Sequence, residues 1–219
     1  MDTHINQPRP ELEPLPERMQ GLPIDDRGYP VPWFVAWVDG KPEFRAMDGA
    51  KFRAAIRERR CWVCGQRRGV YVCFVVGPMC GINRISSEPP SHAECARWSA
   101  RNCPFLSNPH MVRREDEVLD NANLQENSAG VALTRNPGVS LLWHTRTFDV
   151  IPDGRGKTLI LMGDPEEIEF WCKGRLATRA EIDESIRTGL PALQAVAALE
   201  KGGLEALQEQ KALFERYLP

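Results

Sequence analysis

The chain has no long apolar run. The longest unbroken one, Val70–Val76, is seven residues, whereas a membrane-spanning helix needs roughly twenty, so no segment is expected to cross a bilayer. The start, Met1-Asp2-Thr3-His4-Ile5-Asn6-Gln7-Pro8, lacks a basic stretch followed by an apolar core. No secretory leader is visible, and a cytoplasmic setting is expected. A phosphate-cradling glycine loop is missing too. Asp153-Gly154-Arg155-Gly156-Lys157-Thr158 ends in Gly-Lys-Thr, but it lacks the preceding Gly-x-x-x-x-Gly frame and stands before a strand-like segment, so it reads as a turn. Internal repeats are absent. Net charge is small, −2, which argues against a chain that is basic from end to end.

What the 219 residues do contain is enough apolar material, 42%, for one sizeable core or a core with a satellite module. They also contain seven cysteines. An odd number cannot all pair within one chain, and thiols stay reduced in the cytoplasm, so metal binding is the first reading. The near-neutral charge hides an asymmetry. Residues 51–114 carry twelve Lys/Arg against only Glu58, Glu88 and Glu94, whereas the segments on either side are acidic. The densest part of this island is Lys51, Arg53, Arg57, Arg59, Arg60, Arg67 and Arg68. Such clustering suits a polyanion-binding surface, and it equally suits a solvated helix face neutralised by acidic flanks.

Residues 1–32 hold seven prolines and are expected to form an extended or disordered arm that adds little to a core. Residues 33–114 form a second region. Trp33–Val38, Asp39-Gly40 and Lys41–Arg45 read as a hairpin, with Pro42 favouring an edge. Asp48 caps a helix running to about Arg59 that buries Phe52 and Ile56. Residues 115–219 make the third region, beginning with a polar stretch, 115–136, that separates it from the second. Val139–Phe148 and Thr158–Met162 read as strands. Asp164-Pro165-Glu166-Glu167 has the signature of a helix start, and Thr178-Arg179-Ala180-Glu181 reads as a capping box. Gly189 with Pro191, and then Gly202-Gly203, are expected to punctuate the helical carboxyl end.

The chemistry concentrates between residues 61 and 101. Cys61-Trp62-Val63-Cys64-Gly65 is a Cys-x-x-Cys-Gly knuckle, in which the spacing lets two thiolates reach one ion and Gly65 permits the tight turn beneath them. Ser91-His92-Ala93-Glu94-Cys95 supplies the second pair. Ser91 and Glu94 form a capping box, and His92 and Cys95 share the first turn of a helix. Between the pairs lie a strand-like run, Gly69–Val76, and a turn at Gly77-Pro78-Met79. Knuckle, strand and helix in this order resemble the treble-clef group of zinc fingers. The residues predict a closed tetrahedral Zn2+ site of Cys61, Cys64, His92 and Cys95. Alternatively Cys80 replaces His92 to give four thiolates, and Cys103 with Pro104 allows an iron–sulfur cluster. Cys73 and Cys172 read as small core hydrophobes.

Zinc modules of this shape serve nucleic-acid binding, protein docking and nuclease scaffolds. Nucleases of the His-Asn-His type carry a catalytic histidine on the hairpin, and residues 69–79 have none. His92-Ala93-Glu94 matches the His-x-Glu of zinc deaminases, but their Pro-Cys-x-x-Cys lies downstream, and the Cys-x-x-Cys here lies upstream. Cys73 or Cys172 with His144 or His110 would make a nucleophile and base, yet nothing local activates either thiol. Asn83 and Arg84 stand in a polar stretch where they contact bases or phosphates, with Arg68 and Arg97 nearby, or simply bond the loop backbone. Trp33, Trp37, Trp62 and Trp98 offer either stacking surfaces or core. The stretches 77–106 and 164–191 are similar to uncharacterised bacterial and phage proteins, which implies no function. The expectation is an α+β protein with a small zinc-stabilised treble-clef-like module, a flanking hairpin and a helical carboxyl region. Its expected role is to bind DNA or RNA without catalysis. The alternative is an adaptor docking a protein partner through Leu204, Leu207, Phe214 and Leu218, and a third class is an enzyme whose site assembles from loops.

Overall fold

A strand buried on both faces reads as a continuous apolar run, and such runs build the centre of this molecule. The computed structural model describes residues 7–108, 124–125, 137–153 and 156–219. Its elements are β1 (Val35–Val38), β2 (Lys41–Asp48), α1 (Gly49–Arg57), β3 (Val72–Val76), α2 (Pro78–Asn83), β4 (Ile85–Ser86), α3 (Ala93–Asn102), α4 (Pro104–Ser107), β5 (Leu124–Gln125), β6 (Ser140–Thr145), β7 (Phe148–Pro152), β8 (Thr158–Met162), β9 (Glu167–Cys172), β10 (Arg175–Leu176), α5 (Arg179–Ala197) and α6 (Gly203–Phe214). Short 3-10 turns stand at Glu17–Met19 and Glu215–Tyr217. The α+β class is the one expected. None of the helices among the described residues is long and apolar enough to cross a membrane.

Three small antiparallel sheets result, ordered β1-β2-β5, β10-β9-β6-β3 and β4-β8-β7. The second is central. Phe74, Leu141, Trp143 and Phe170 point from one face into the main core, which Ile82, Ile160, Met162, Ile182, Leu207 and Phe214 complete. The opposite face presents Cys73, Leu142 and Trp171 to Ala96 and Ala100 of α3. Period-two alternation thus assigns successive residues of each strand to opposite cores.

Local signals explain several elements. Asp39 and Gly40 both take positive φ, 49° and 76°, the geometry that twists a two-residue hairpin correctly. The Asp48 carboxylate accepts from the amides of Ala50 and Lys51 at the start of α1. Thr178 and Glu181 form the expected capping box of α5.

Other expectations fail for identifiable reasons. Asp164-Pro165-Glu166-Glu167 opens no helix, because residues 167–171 of β9 pair with β6. Gly189 and Pro191 do not break α5, which runs 19 residues with Pro191 inside it. A Cβ on Gly189 would lie 2.9 Å from Met79 Cγ, so this glycine permits close packing of α5 on α2. Gly77-Pro78-Met79 is the start of α2, with proline in its first turn. Residues 7–32 also contribute to a core: Met19 and Val31 are each 1% exposed. The boundary expected at residue 115 lies outside the described residues, as does His110.

Candidate metal centre and basic surface

The knuckle is built by a tight reversal. Arg60 and Arg67 face each other across an antiparallel bridge, Cys61 N–H donates to Gln66 O at 2.7 Å, and Gly65 N–H donates to Cys61 O at 2.9 Å. Gly65 has φ +73°, and a Cβ there would stand 2.6 Å from the Trp33 ring. We expect Gly65→Ala to destabilise the knuckle by more than the about 1–2 kcal/mol of a left-handed residue, read as a lower melting temperature and weaker metal retention. An unchanged melt would show that the turn does not depend on glycine.

The second pair arrives on α3. His92 is its N-cap residue and Cys95 sits in its first turn, but no side chain caps this helix. The expected capping box is therefore not formed. Ser91 instead exchanges both backbone bonds with Cys73, at 2.9 and 2.7 Å, which ties the α3 entry to β3. Glu94 pairs with Arg18 at 2.6 Å.

Cys61, Cys64, His92 and Cys95 converge so that one ligand atom from each lies within 4.8 Å of all the others. All three cysteines are buried. Cys64 Sγ stands 3.4 Å and Cys95 Sγ 3.9 Å from His92 Nδ1, while the other ring nitrogen, Nε2, lies 3.2 Å from Arg67 O. A proton on Nε2 donated to that carbonyl leaves the Nδ1 lone pair for a cation, the outer contact that orients a ligating histidine. The amides of Cys64 and His92 point at Cys61 Sγ, at 3.5 and 3.3 Å. Burial opposes ionisation of Cys61, but hydrogen bonds from Cys64, Cys95 and His92 outweigh it and hold the thiol well below its ordinary range. Hydrogen bonds to Cys61 and Cys64 push the His92 imidazole up to about 10. The Cys95 thiol moves the opposite way, held well above its ordinary range by its hydrogen bonds to Cys61 and Cys64, so without a cation the sulfurs compete for protons, a competition that a divalent cation relieves. The cluster is a buried Cys3His group that can hold a metal ion such as zinc.

Neither alternative cysteine belongs to this group. Cys80 lies on α2 against the main core, its thiol pushed up to about 11 by burial. Cys103 is the C-cap of α3, and burial raises its thiol too. The donor set is three sulfurs and one imidazole, so the four-thiolate arrangement is not assembled.

The arm closes over the centre. Met19 packs with Cys61, Val63, Cys64, Cys95 and Trp98, and Leu12, Leu15 and Leu22 lie against them. Trp98 Nε1 donates to Glu13 O at 3.1 Å, and Glu13 N–H donates to Asn102 Oδ1 at 2.9 Å. The chain matches no family model, no curated protein and no solved structure. The expected similarity of 77–106 and 164–191 to bacterial and phage proteins gains no support from these comparisons, and the site must be read from its own residues.

The nine basic residues expected to form one surface divide. Arg68 is buried, donating to Arg60 O at 2.8 Å and Ala55 O at 3.0 Å. Arg84 donates to Met162 O and pairs with Asp164 at 3.0 Å, while Asn83 Oδ1 accepts from the Ile85 amide, so both serve the turn after α2. Arg97 pairs with Glu169 at 2.7 Å across α3 and β9. Lys51 donates to Val35 O, and Arg60 pairs with Glu58. Arg53, Arg57, Arg59 and Arg67 are exposed, with no ion-pair partner among the described residues. Trp62 and Trp98 are buried and Trp37 is 46% exposed, so the tryptophans form no common stacking face. Leu207 and Phe214 belong to the main core, which leaves Leu204 and Leu213 on the outer side of α6.

Proposed function

We propose that the chain is a non-enzymatic nucleic-acid-binding protein in which Zn2+, held by Cys61, Cys64, His92 and Cys95 in a treble-clef-like module, fixes a small basic surface. The observation that carries this reading is the sorting of the arginines. Five of the nine basic residues, Lys51, Arg60, Arg68, Arg84 and Arg97, are engaged by carbonyls or carboxylates, whereas Arg53, Arg57, Arg59 and Arg67 face water without an anionic partner among the described residues. Arg53 and Arg57 stand one turn apart on α1, so they share a face. Arg59 and Arg67 come from the two sides of the knuckle ribbon, where Arg68 N–H donates to Arg59 O at 2.7 Å. Zinc is favoured over an iron–sulfur cluster because the fourth donor is an imidazole whose far nitrogen is held by a carbonyl.

Phosphate neutralisation by four guanidinium groups gives a defined expectation. Affinity for duplex DNA should fall with salt along a log–log slope of about −3 to −4, and Arg57→Ala with Arg67→Ala should reduce that slope by about 2. Titrating DNA and RNA against the native chain and this double variant, across a range of salt, is the test. A chain that binds neither polyanion, or binds without salt dependence, overturns this reading and favours docking of a protein.

A further inference from the structure

Cys73, His144 and Glu167 stand in one row across β3, β6 and β9, since Cys73 is the register partner of His144 and His144 that of Glu167. Glu169 follows two residues along β9 and so shares their face. This is the α3 side of the central sheet, at the edge where its apolar contacts end. Ligand atoms of His144, Glu167 and Glu169 lie within 4.8 Å of one another.

The thiol in the row points toward nucleophilic catalysis, and the geometry rejects it. Cys73 Sγ is 3.9 Å from His144 Nε2, and Glu169 Oε1 is 2.8 Å from that same nitrogen. A base oriented by a third group needs both ring nitrogens, one for each neighbour. Cys73 is also 0% exposed.

Charge in the row does not balance. Glu169 is held at Oε1 by Arg97 and at Oε2 by Trp171 Nε1 at 3.1 Å, beside its contact with His144 at Oε1. Glu167 is exposed and makes no ion pair among the described residues, and the cation whose charge reaches it is Arg97, which is already bonded to Glu169. Arg146, close in sequence to His144, is turned away toward Glu166 and the Tyr71 ring. Two carboxylates and one guanidinium thus leave one negative charge beside an imidazole nitrogen. The side chains of His144 and Glu169 are 15% and 13% exposed, so they are steady on one side while Glu167 opens the other to water.

We propose that His144, Glu167 and Glu169 form a second cation site, one that takes a divalent first-row transition ion. One imidazole with two carboxylates is the mixed nitrogen and oxygen set that suits zinc, manganese, iron or cobalt better than the all-oxygen preference of calcium or magnesium. Three protein donors leave positions for water, in contrast to the closed thiolate centre. Arg97 and Trp171 act on Glu169 as the outer contacts that fix a ligating carboxylate. The ion takes the Nε2 lone pair, so the imidazole proton resides on Nδ1. Nothing in this site depends on the nucleic-acid reading.

Cobalt titration of the full chain separates the two centres. The first equivalent should give intense sulfur-to-metal charge-transfer absorption, and the second only weak ligand-field bands without further charge transfer. Glu167→Gln should weaken the second equivalent about tenfold or more, and His144→Gln should abolish it, with the charge-transfer spectrum of the first unchanged in both. That spectrum also reports folding. If His144→Gln loses it, the exposed Glu167→Gln decides between the outcomes. A native chain that binds one equivalent only, or a second equivalent that is unaffected by Glu167→Gln, overturns the proposal.

Discussion

Stripping the metal with a chelator, or replacing Cys95 with Ser, is expected to release residues 7–32 and the knuckle while the central sheet stays folded. The physical ground is the make-up of the two cores. Half of the buried members of the core around the Cys3His group are its own cysteines, Cys61, Cys64 and Cys95, joined by Met19, Val63 and Trp98. Without a cation these sulfurs and the His92 imidazole are polar groups crowded together out of water, and few apolar contacts offset them. Structural zinc contributes on the order of 10–16 kcal/mol in small modules, which exceeds what so small a core supplies. The main core draws on β3, β6, β8, β9, α2, α5 and α6 and uses none of the ligands. The carboxyl half of α3 should stay docked as well, because Ala96 and Ala100 pack on Cys73, Leu142 and Trp171. Hydrogen exchange with and without chelator reads this directly. The amides of β6, bonded on both sides by β3 and β9, should keep their protection while those between Met19 and Val31 lose theirs. Simultaneous loss at both places, or protection of the arm without metal, would show that the metal is not what holds it.

The convergence of Cys61, Cys64, His92 and Cys95 is legible in the sequence because a Cys-x-x-Cys-Gly turn and a His-x-x-Cys helix start each have one economical geometry around an ion. The Asp39-Gly40 turn and the Asp48 and Thr178 caps are legible for the same reason: the signal and its physical effect lie within a few residues. The arm is not. Seven prolines suggest disorder, but proline also lowers the entropy of the unfolded chain, so the few apolar side chains set among them, Leu12, Leu15, Met19 and Leu22, suffice to seat the segment over the metal. Asp164-Pro165 misleads because strand pairing with β6 outweighs a local helix-start signal, and the alternation of Ile168 and Phe170 inward is the better guide. Ser91 has the residue type of a cap, but β3 takes its backbone. The His144 cluster is invisible in the sequence because His144 and Glu169 stand 25 residues apart along the chain and only strand register brings them face to face. Composition likewise locates the basic island without saying which arginines face water.

Arg68 and Arg67 make that last distinction measurable, since adjacent residues of identical chemistry have opposite roles. Arg68 enters the protein beneath α1, where its Nε donates to Arg60 O and its Nη2 to Ala55 O, and its guanidinium lies 5.7 Å from the Phe148 ring centroid. Burial pulls this group down to about 10, with the nearby Cys61 sulfur opposing the fall, so it is still charged at neutral pH. It ties β7 to the end of α1 and the knuckle ribbon, which one backbone bond, Arg60 N–H to Ala55 O at 3.2 Å, already joins to each other. Arg68→Ala leaves the Arg60 carbonyl without its donor, at about 1–3 kcal/mol, takes one of two donors from the Ala55 carbonyl, which keeps the Arg60 amide, and removes a stem packed on an aromatic ring. We expect a loss of about 2–4 kcal/mol, concentrated between α1 and the knuckle. Arg67→Ala should change stability by less than about 0.5 kcal/mol, as an exposed substitution does, yet lower the salt slope of polyanion binding by about 1. Its backbone carbonyl, which faces His92, is retained. Denaturant unfolding of the two variants, followed by binding titrations under conditions where both are folded, decides the assignment. Equal stabilities would remove Arg68 from the structural role. Equal loss of polyanion affinity in two folded variants would return it to the binding surface, which its burial beneath α1 opposes.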